Sequence, residues 1–236
     1  MDPNKTAPRK ANEPENLTMH ESWDSYNSFL LTGTPQRFTK FLLRYELFKG
    51  IVDKPGDIVE AGVFKGAGVL YWAKLIEIFN PLSLRRVIGF DTFDGYPEAT
   101  IESYEQPVAA EFLADANYNS DSPEKIMEIA ASQGLENRIE LIKGDATFTI
   151  KDYVEKNTGF RVALLNSDLD SYHPTAAALE HLYPLVVPGG VIAFDEYGER
   201  QWGESQAADE FFKDKHVMYH SMPWAYSPTA YVVKEP

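Results

Sequence analysis

The stretch Glu60–Gly68, EAGVFKGAG, follows a short apolar run and precedes a helical pattern. Three glycines between a strand and a helix indicate a loop whose backbone approaches a ligand. They are Gly62, Gly66 and Gly68, so the closely spaced pair comes last. The dinucleotide fingerprint has that pair first, and a P-loop ends in Lys followed by Ser or Thr, so neither NAD nor ATP is favoured.

Glu60 at the strand end, before a turn without a phosphate-binding group, favours a cationic or zwitterionic nucleoside ligand. The predicted cofactor contacts in this turn are Glu60, Gly62 and Gly66. A second interpretation stays open, in which the glycines only allow the strand and the helix to pack closely.

Outward from this turn, apolar runs alternate with helical patterns, which indicates a sheet covered by helices on both faces. The predicted strands are Asp57–Val63, Arg86–Phe93, Ile139–Gly144, Arg161–Leu169, Val191–Tyr197, His216–Met222 and Thr229–Lys234. The predicted helices are Ala67–Phe79, Pro123–Gln133, Phe148–Lys156, Thr175–Val186 and Glu204–Lys213. Only PWAYSP separates the last two strands, so they pair as an antiparallel hairpin. The predicted fold class is α/β, a doubly wound, mostly parallel, Rossmann-like seven-stranded sheet whose last strand is antiparallel.

The predicted domain spans residues 36–236 and follows a polar, flexible leader at residues 1–35. The leader ends in the aromatic stretch SWDSYNSFLL, which we expect to pack as a lid or against another subunit. A helix then begins at Thr34 and Pro35, a cap and a first-turn proline. The acidic segment 98–122 is too long for a plain connection, so we expect it to cover the site.

The composition excludes several classes of function. Thirty-six acidic against 22 basic residues give a formal charge of -14, which repels nucleic acid. The absence of cysteine excludes disulfides, thiolate nucleophiles and cysteine-bound zinc. We expect no membrane segment and a cytoplasmic location, because no signal peptide or membrane-length apolar run is present.

Two further acids end predicted strands. Asp91, in IGFDTFDGYP, is placed to accept hydrogen bonds from ribose hydroxyls, the use of such an acid in nucleoside-binding sheets. Asp145, in KGDATF, either contacts adenine or caps the helix that follows, and the sequence leaves both interpretations open.

Four carboxylates end the fourth and fifth strands, where neighbouring parallel strands meet in one crevice. They are Asp168 and Asp170 in LLNSDLDSYHPT, and Asp195 and Glu196 in VIAFDEYGERQWGES. Carboxylates this close repel one another, and a hard cation such as Mg²⁺ relieves the repulsion. We therefore expect Asp168, Asp195 and Glu196 to bind Mg²⁺; the alternative is that the acids cap helices and face solvent.

The motifs PGDIVEAGVFKGAG, GFDTFDGYP, DLDSYHPT and PGGVIAFDEYGERQWGES, in this order, resemble the macrocin O-methyltransferase family. The resemblance runs from about Arg37 to the C-terminus. It implies a class I methyltransferase that uses S-adenosyl-L-methionine (SAM) and Mg²⁺ to methylate a sugar hydroxyl in antibiotic biosynthesis. It also implies a dimer or larger homo-oligomer.

For individual residues, the resemblance places the methionine end of SAM near Glu60 and Gly62 and the ribose on Asp91. It assigns the metal to Asp168, Asp195 and Glu196, where the family usually has two aspartates in place of the Asp-Glu pair. It assigns the general base to Asp170. His173 is a second candidate base that belongs to this sequence.

Other functions stay open. A vicinal diol that chelates a metal suits a catechol as well as a sugar. A metal-independent methyltransferase and a noncatalytic SAM-binding protein are further alternatives. Trp202, Trp224 and Tyr226 either line an acceptor pocket or belong to the core.

Overall fold

Helices enclose a seven-stranded sheet in the computed structural model, which describes residues 19–115 and 119–235. The strands are β1 (Asp57–Ala61), β2 (Val87–Asp91), β3 (Ile139–Lys143), β4 (Val162–Ser167), β5 (Val186–Phe194), β6 (Tyr219–His220) and β7 (Ala230–Val233). The helices are α1 (Met19–Thr32), α2 (Pro35–Ile51), α3 (Ala67–Phe79), α4 (Gln106–Ala114), α5 (Pro123–Ser132), α6 (Ala146–Lys156), α7 (Tyr172–Leu182) and α8 (Glu204–Phe212).

The strand order is β3-β2-β1-β4-β5-β7-β6. The first five strands are parallel, while β7 runs antiparallel to both β5 and β6. This arrangement confirms the predicted fold class, including the reversed last strand and the terminal hairpin.

The sheet buries both faces because its strands are apolar throughout. In β1, Ile58 joins a core with residues of α2, α3 and α5, while Val59 joins a second core with residues of α6, α7 and α8. Burial of apolar surface on both faces is the main favourable contribution to folding such a sheet.

The pairing of β4 with β5 determines where the acids lie. Ser167 and Phe194 are partners in the ladder, and the residues that follow them are Asp168 and Asp195. The Asp168 amide donates to the Ala61 carbonyl of β1 over 2.7 Å, so the strand pairing continues beyond β4 into the loop that begins at Asp168. The sheet therefore brings these two carboxylates together.

Several predicted helix boundaries are wrong. The leader predicted at residues 1–35 stays a prediction: it includes α1, and its residues 1–18 lie outside the described residues. Helix α4 lies in the acidic segment, where no helix was predicted. Helix α6 begins two residues before Phe148 because Asp145 caps it, and α7 begins at Tyr172 rather than Thr175.

The strand boundaries also differ. Strand β5 begins at Val186, where it pairs with Val162 ahead of an irregularity in the ladder. Strand β6 has only two residues, because only Tyr219 and His220 pair with β7. None of the helices in the two described ranges has the length and apolar character needed to cross a bilayer.

Candidate active site

A cavity of about 680 Å³ opens at the carboxyl edge of the sheet, where the strand order switches between β1 and β4. Open α/β sheets bind their ligands at such a switch. The predicted site residues that line the cavity are Glu60, Gly62, Asp91, Asp145, Asp168, Asp170, Asp195 and Glu196. Gly66 and His173, which were also predicted, are not among the lining residues.

The glycine turn passes close to the end of β4. Gly62 has a φ of +93°, and a Cβ at this position would lie 1.8 Å from the backbone oxygen of Asp168. Only glycine fits there. Gly66, with a φ of +83°, precedes α3 and faces the side chain of Ile126. Gly62 therefore shapes the cavity, whereas the position of Gly66 favours the packing interpretation.

Glu60 is 1% exposed, and both of its carboxylate oxygens have protein donors. Arg44 Nη2 donates to Oε1 over 3.1 Å, and Trp72 Nε1 donates to Oε2 over 2.6 Å. Burial raises the pKa of Glu60, and the Arg44 guanidinium opposes that rise. A ligand contact at Glu60 would have to share an oxygen that already accepts a hydrogen bond.

Asp91 organises the glycine turn from the end of β2. Its Oδ2 accepts the amides of Val63 and Phe64 over 2.7 and 2.8 Å, and its Oδ1 accepts the amide of Phe93 over 2.7 Å. The two amides fill both acceptor positions of Oδ2, which leaves one acceptor position on Oδ1. Asp91 also lines the cavity, so its position is compatible with the predicted ribose contact.

Asp145 is the N-cap of α6. Its Oδ1 accepts the Thr147 amide over 2.9 Å, and its Oδ2 accepts the Thr100 hydroxyl over 2.8 Å. Of the two interpretations left open by the sequence, the cap is therefore present in the structure. The second contact ties the acidic segment to the third strand-to-helix turn.

Asp168, Asp195 and Glu196 form a compact carboxylate cluster. One oxygen from each lies within 4.8 Å of the others. Asp195 Oδ1 and Glu196 Oε2 are buried and accept no hydrogen bond from the described residues. Buried carboxylate oxygens without a donor are costly, and a hard cation compensates them. The carboxylate oxygens of this cluster are therefore suitable ligands for Mg²⁺.

Two cations that were not predicted from the sequence contact this cluster. Lys40 Nζ donates to Asp195 Oδ2 over 2.8 Å and to Asp168 Oδ2 over 3.3 Å. Arg44 Nη2 lies 3.5 Å from Asp168 Oδ2 while it also holds Glu60. The available signal was their spacing: Lys40 and Arg44 lie one turn apart in α2, on the side that packs against the sheet.

The two cations do not neutralise the cluster. Burial, followed by the nearby Asp195 carboxylate, raises the pKa of Asp168 to about 7, and Lys40 and Arg44 oppose this rise. Burial and Asp170 also hold the pKa of Glu196 well above its usual range. A divalent cation bound beside these carboxyls would favour their ionised form and lower these pKa values.

Asp170 lies on the cavity wall in a left-handed conformation, with a φ of +60°. Its Oδ2 accepts a short hydrogen bond from the Tyr96 hydroxyl. Burial raises the pKa of Asp170, and hydrogen bonds with Tyr96 and Glu196 act in the opposite direction. The carboxyl group of Asp170 therefore lies at the cavity wall beside the cluster.

His173 does not reach the cavity. Its Nε2 lies 2.8 Å from Glu102 Oε1, and both side chains are largely exposed. The reason is the helical turn that begins at Tyr172, which directs the ring toward the acidic segment. The geometry therefore does not support the prediction that His173 is a second base.

The acidic segment covers the site, and Glu105 fastens it. Glu105 is fully buried, and its Oε1 accepts the amides of Tyr172 and Gly203, each over 2.9 Å. Its Oε2 accepts the Glu102 amide over 2.9 Å. Tyr172 lies after β4 and Gly203 lies after β5. The Glu105 carboxylate therefore joins the cover to the chain segments that follow both strands.

The three aromatic residues differ in position. Trp202 is buried beneath the cover and lines the cavity, and its ring centroid lies 5.2 Å from that of Tyr96. Tyr226 lines the mouth and is mostly exposed, whereas Trp224 is not a lining residue. Phe29 of α1 also lines the cavity, as a lid would.

Known proteins with a similar fold include a calicheamicin methyltransferase, CalS11. Its crystal structure has a TM-score of 0.77 and 27% identity, over 92% of this chain and 86% of the other. The O-methyltransferase NovP, at 19% identity and a TM-score of 0.68, shares the fold over 84% of this chain and 80% of its own. The fold is that of the class I SAM-dependent methyltransferases.

Relatives by sequence include mycinamicin III 3''-O-methyltransferase from Micromonospora griseorubida, 31% identical over 61% of this chain and 56% of the relative. A methyltransferase from Streptomyces olivaceus is 28% identical over 61% of this chain and 53% of its own length. It is named for the 4'-hydroxyl of a rhamnosyl tetracenomycin. The chain spans about half the length of these relatives. The model of the macrocin O-methyltransferase (TylF) family matches residues 45–231, so this chain belongs to the macrocin O-methyltransferase family.

Proposed function

We propose that the protein transfers the methyl group of SAM to a sugar hydroxyl, with a divalent cation, Mg²⁺ by preference, held by Asp168, Asp195 and Glu196. The observation that carries the proposal is the carboxylate cluster, which keeps two buried oxygens without a donor and adjoins a cavity at the strand-order switch. Oxygen ligands of this kind suit Mg²⁺.

In this proposal the turn after β1 and the end of β2 hold SAM. Gly62 lets the turn pack directly against the end of β4, which gives this wall of the cavity its shape, and Asp91 accepts a hydrogen bond from the ribose. The bound cation would polarise the acceptor hydroxyl and lower its pKa. Asp170 accepts the hydroxyl proton as the bond from oxygen to the methyl carbon forms and the bond from carbon to sulfur breaks.

The chain contributes orientation as well as a base. Lys40 and Arg44 each bind the Oδ2 atom of Asp168, and Lys40 also binds the Oδ2 atom of Asp195. With Oδ2 held, the direction of the Oδ1 atom of each aspartate is defined. The cover that Glu105 fastens adds Phe112 and Leu113 to the cavity wall. Orientation of this kind is a large part of the rate gain in group transfer.

The names of the relatives support a sugar acceptor. Mycinamicin III 3''-O-methyltransferase and the rhamnosyl tetracenomycin 4'-O-methyltransferase are named for sugar positions on natural products, and CalS11 is described as a TDP-rhamnose 3'-O-methyltransferase. We propose the hydroxyl of a deoxysugar, either nucleotide-activated or already attached to a natural product.

The test is transfer of labelled methyl from SAM to TDP-rhamnose, alkyl rhamnosides and catechol, each with Mg²⁺ and with EDTA. We expect labelling of a sugar that EDTA abolishes and Mg²⁺ restores. Labelling that is indifferent to EDTA would overturn the metal role, and labelling of catechol alone would overturn the sugar. SAM binding without transfer to any acceptor would indicate a noncatalytic SAM-binding protein.

Homo-oligomer formation stays a prediction. Helix α1 exposes Trp23, Tyr26 and Leu31, which is compatible with contact to a second copy. Light scattering of the purified protein tests this directly: we expect a dimer or larger, and a monomeric mass would contradict it.

A further inference from the structure

A tyrosine next to the acidic cover contacts the candidate base. Tyr96, two residues before the cover begins, donates a hydrogen bond from its hydroxyl to Asp170 Oδ2. Both residues line the cavity, so the contact lies inside the site. The chain that leads into the cover is therefore linked to the candidate base.

The contact is held from both of its ends. On the cover side, the Tyr96 ring packs against Trp202, with centroids 5.2 Å apart and planes inclined by 32°. On the other side, the Asp170 carbonyl accepts the Glu204 amide over 3.1 Å, which fastens its left-handed backbone to α8. The ring contact therefore holds the Tyr96 side chain, and the backbone contact fixes the main chain from which the Asp170 side chain projects.

The hydroxyl has one role open to it in this position. Burial, with Asp170 beside it, raises the pKa of Tyr96, so the hydroxyl keeps its proton and acts as a donor. The donated hydrogen bond occupies Oδ2 of Asp170. A carboxylate held by one oxygen has its orientation set, and its other oxygen is then directed at the substrate proton.

We propose that Tyr96 is a positioning residue for methyl transfer, which holds the Asp170 carboxylate at the angle needed to accept the proton of the acceptor hydroxyl. This inference rests on the proposed function. Tyr96 touches the reaction only through Asp170 and keeps its own proton throughout.

The test compares two tyrosines, Tyr96 just before the cover and Tyr104 within it. Tyr96→Phe removes only the hydroxyl, and Tyr104→Phe is the control, because the Tyr104 hydroxyl is outside the main cavity and meets Gln206 at 3.4 Å. With TDP-rhamnose as acceptor, we expect Tyr96→Phe to lower kcat about 10-fold to 100-fold, the range for a lost hydrogen bond to a charged group. The KM for SAM and the melting temperature stay at the native values, and Tyr104→Phe behaves like the native protein.

A double-mutant cycle separates positioning from a merely structural role. In an Asp170→Asn background, Tyr96→Phe should cause no further loss of kcat, because the base through which it acts is gone. Two losses that multiply would overturn the inference. So would a Tyr96→Phe variant with native kcat, or one that loses affinity for SAM instead.

A second measurement needs no acceptor. The shielded hydroxyl proton of Tyr96 should give a low-field proton resonance that disappears in Tyr96→Phe and shifts in Asp170→Asn. Absence of that resonance from the native protein would overturn the contact itself. Failure of the proposed function has a different signature, since the native protein would then transfer no methyl group while the resonance remained.

Discussion

The acids at the ends of β1, β2 and β3 differ from those at the ends of β4 and β5. Glu60, Asp91 and Asp145 accept hydrogen bonds from nearby protein donors on both oxygens. Asp195 and Glu196 each keep a buried oxygen without a donor. The residue types are the same, so the supply of donors decides which acids organise the fold and which remain available to a ligand.

The largest expected effect tests the acids that lack donors. Asp195→Asn keeps the shape of the side chain but removes a charge from the cluster. We expect loss of Mn²⁺ binding and a fall in methyl transfer of about 10³-fold, since metal polarisation contributes several kcal/mol to such a reaction. Mn²⁺ binding is followed by electron paramagnetic resonance, and transfer by labelled SAM.

Asp94→Asn is the matched control, because Asp94 is exposed beside the cavity loop. We expect this variant to keep native metal binding and native turnover. If Asp195→Asn also kept native turnover, the acids after β4 and β5 would be structural, and the difference between the two groups of acids would disappear.

The next effect tests an acid whose oxygens are both engaged. Glu60→Leu leaves the buried Trp72 indole without its partner and leaves the Arg44 guanidinium with only its 3.5 Å contact to Asp168. Breaking a buried ion pair from one side costs about 3–5 kcal/mol, so the free energy of unfolding in urea should fall by about that amount. Glu128→Leu, on the exposed face of α5, is the control and should leave that free energy nearly unchanged.

The opposite result would be informative. A Glu60→Leu variant with native stability but without SAM binding would place Glu60 among the ligands of the cofactor, as the family resemblance implies. The distinction between the two groups of acids would then apply to β2 and β3 alone.

The sequence was sufficient for the sheet and for the cluster, for physical reasons. Apolar strands separated by helical patterns indicate a parallel sheet, and the ends of such strands converge whatever the details of packing. Asp168 and Asp195 therefore lie close together, as predicted. Their proximity depends only on the register of β4 against β5.

Contacts between distant segments could not be predicted in the same way. Lys40 meets Asp195 across 155 positions of sequence, and Tyr96 meets Asp170 across 74. Such pairs depend on how α2 and the cover dock onto the sheet, which no local pattern encodes. The role of His173 as a base is not supported for a related reason. The direction of its ring depends on the first turn of α7, which the sequence pattern did not define.

The third prediction concerns pH and the availability of Asp168. With a pKa raised to about 7, this carboxyl must lose a proton before it binds a cation. We expect Mn²⁺ affinity to fall at least about tenfold for each pH unit below 7, because Glu196, whose pKa is also raised, has to lose a proton as well. Mn²⁺ titrations between about pH 6 and pH 8 measure the slope.

The effect of pH on folding stability is the reverse of that for a carboxylate whose pKa falls on folding. The folded protein without metal holds this proton more tightly than the unfolded chain, so Asp168 opposes folding increasingly as pH rises from about 4 to 7. Asp168→Asn should remove that pH dependence. An affinity for Mn²⁺ that stayed constant between about pH 6 and pH 8 would contradict a proton on this cluster.

The smallest expected effect concerns Asp145, for which the sequence left two roles open. As the cap of α6, it should cost about 1 kcal/mol of unfolding free energy when changed to Ala, and much less when changed to Asn, which caps a helix about as well. Both variants should bind SAM like the native protein, measured by calorimetry. A carboxylate that contacts adenine gives the opposite pattern, since Asp145→Asn would then keep the stability and weaken SAM binding. If Asp145→Asn binds SAM normally, hydrogen-bond donors alone distinguish the acids after β1, β2 and β3 from those after β4 and β5. If it does not, Asp145 both caps α6 and contacts the ligand.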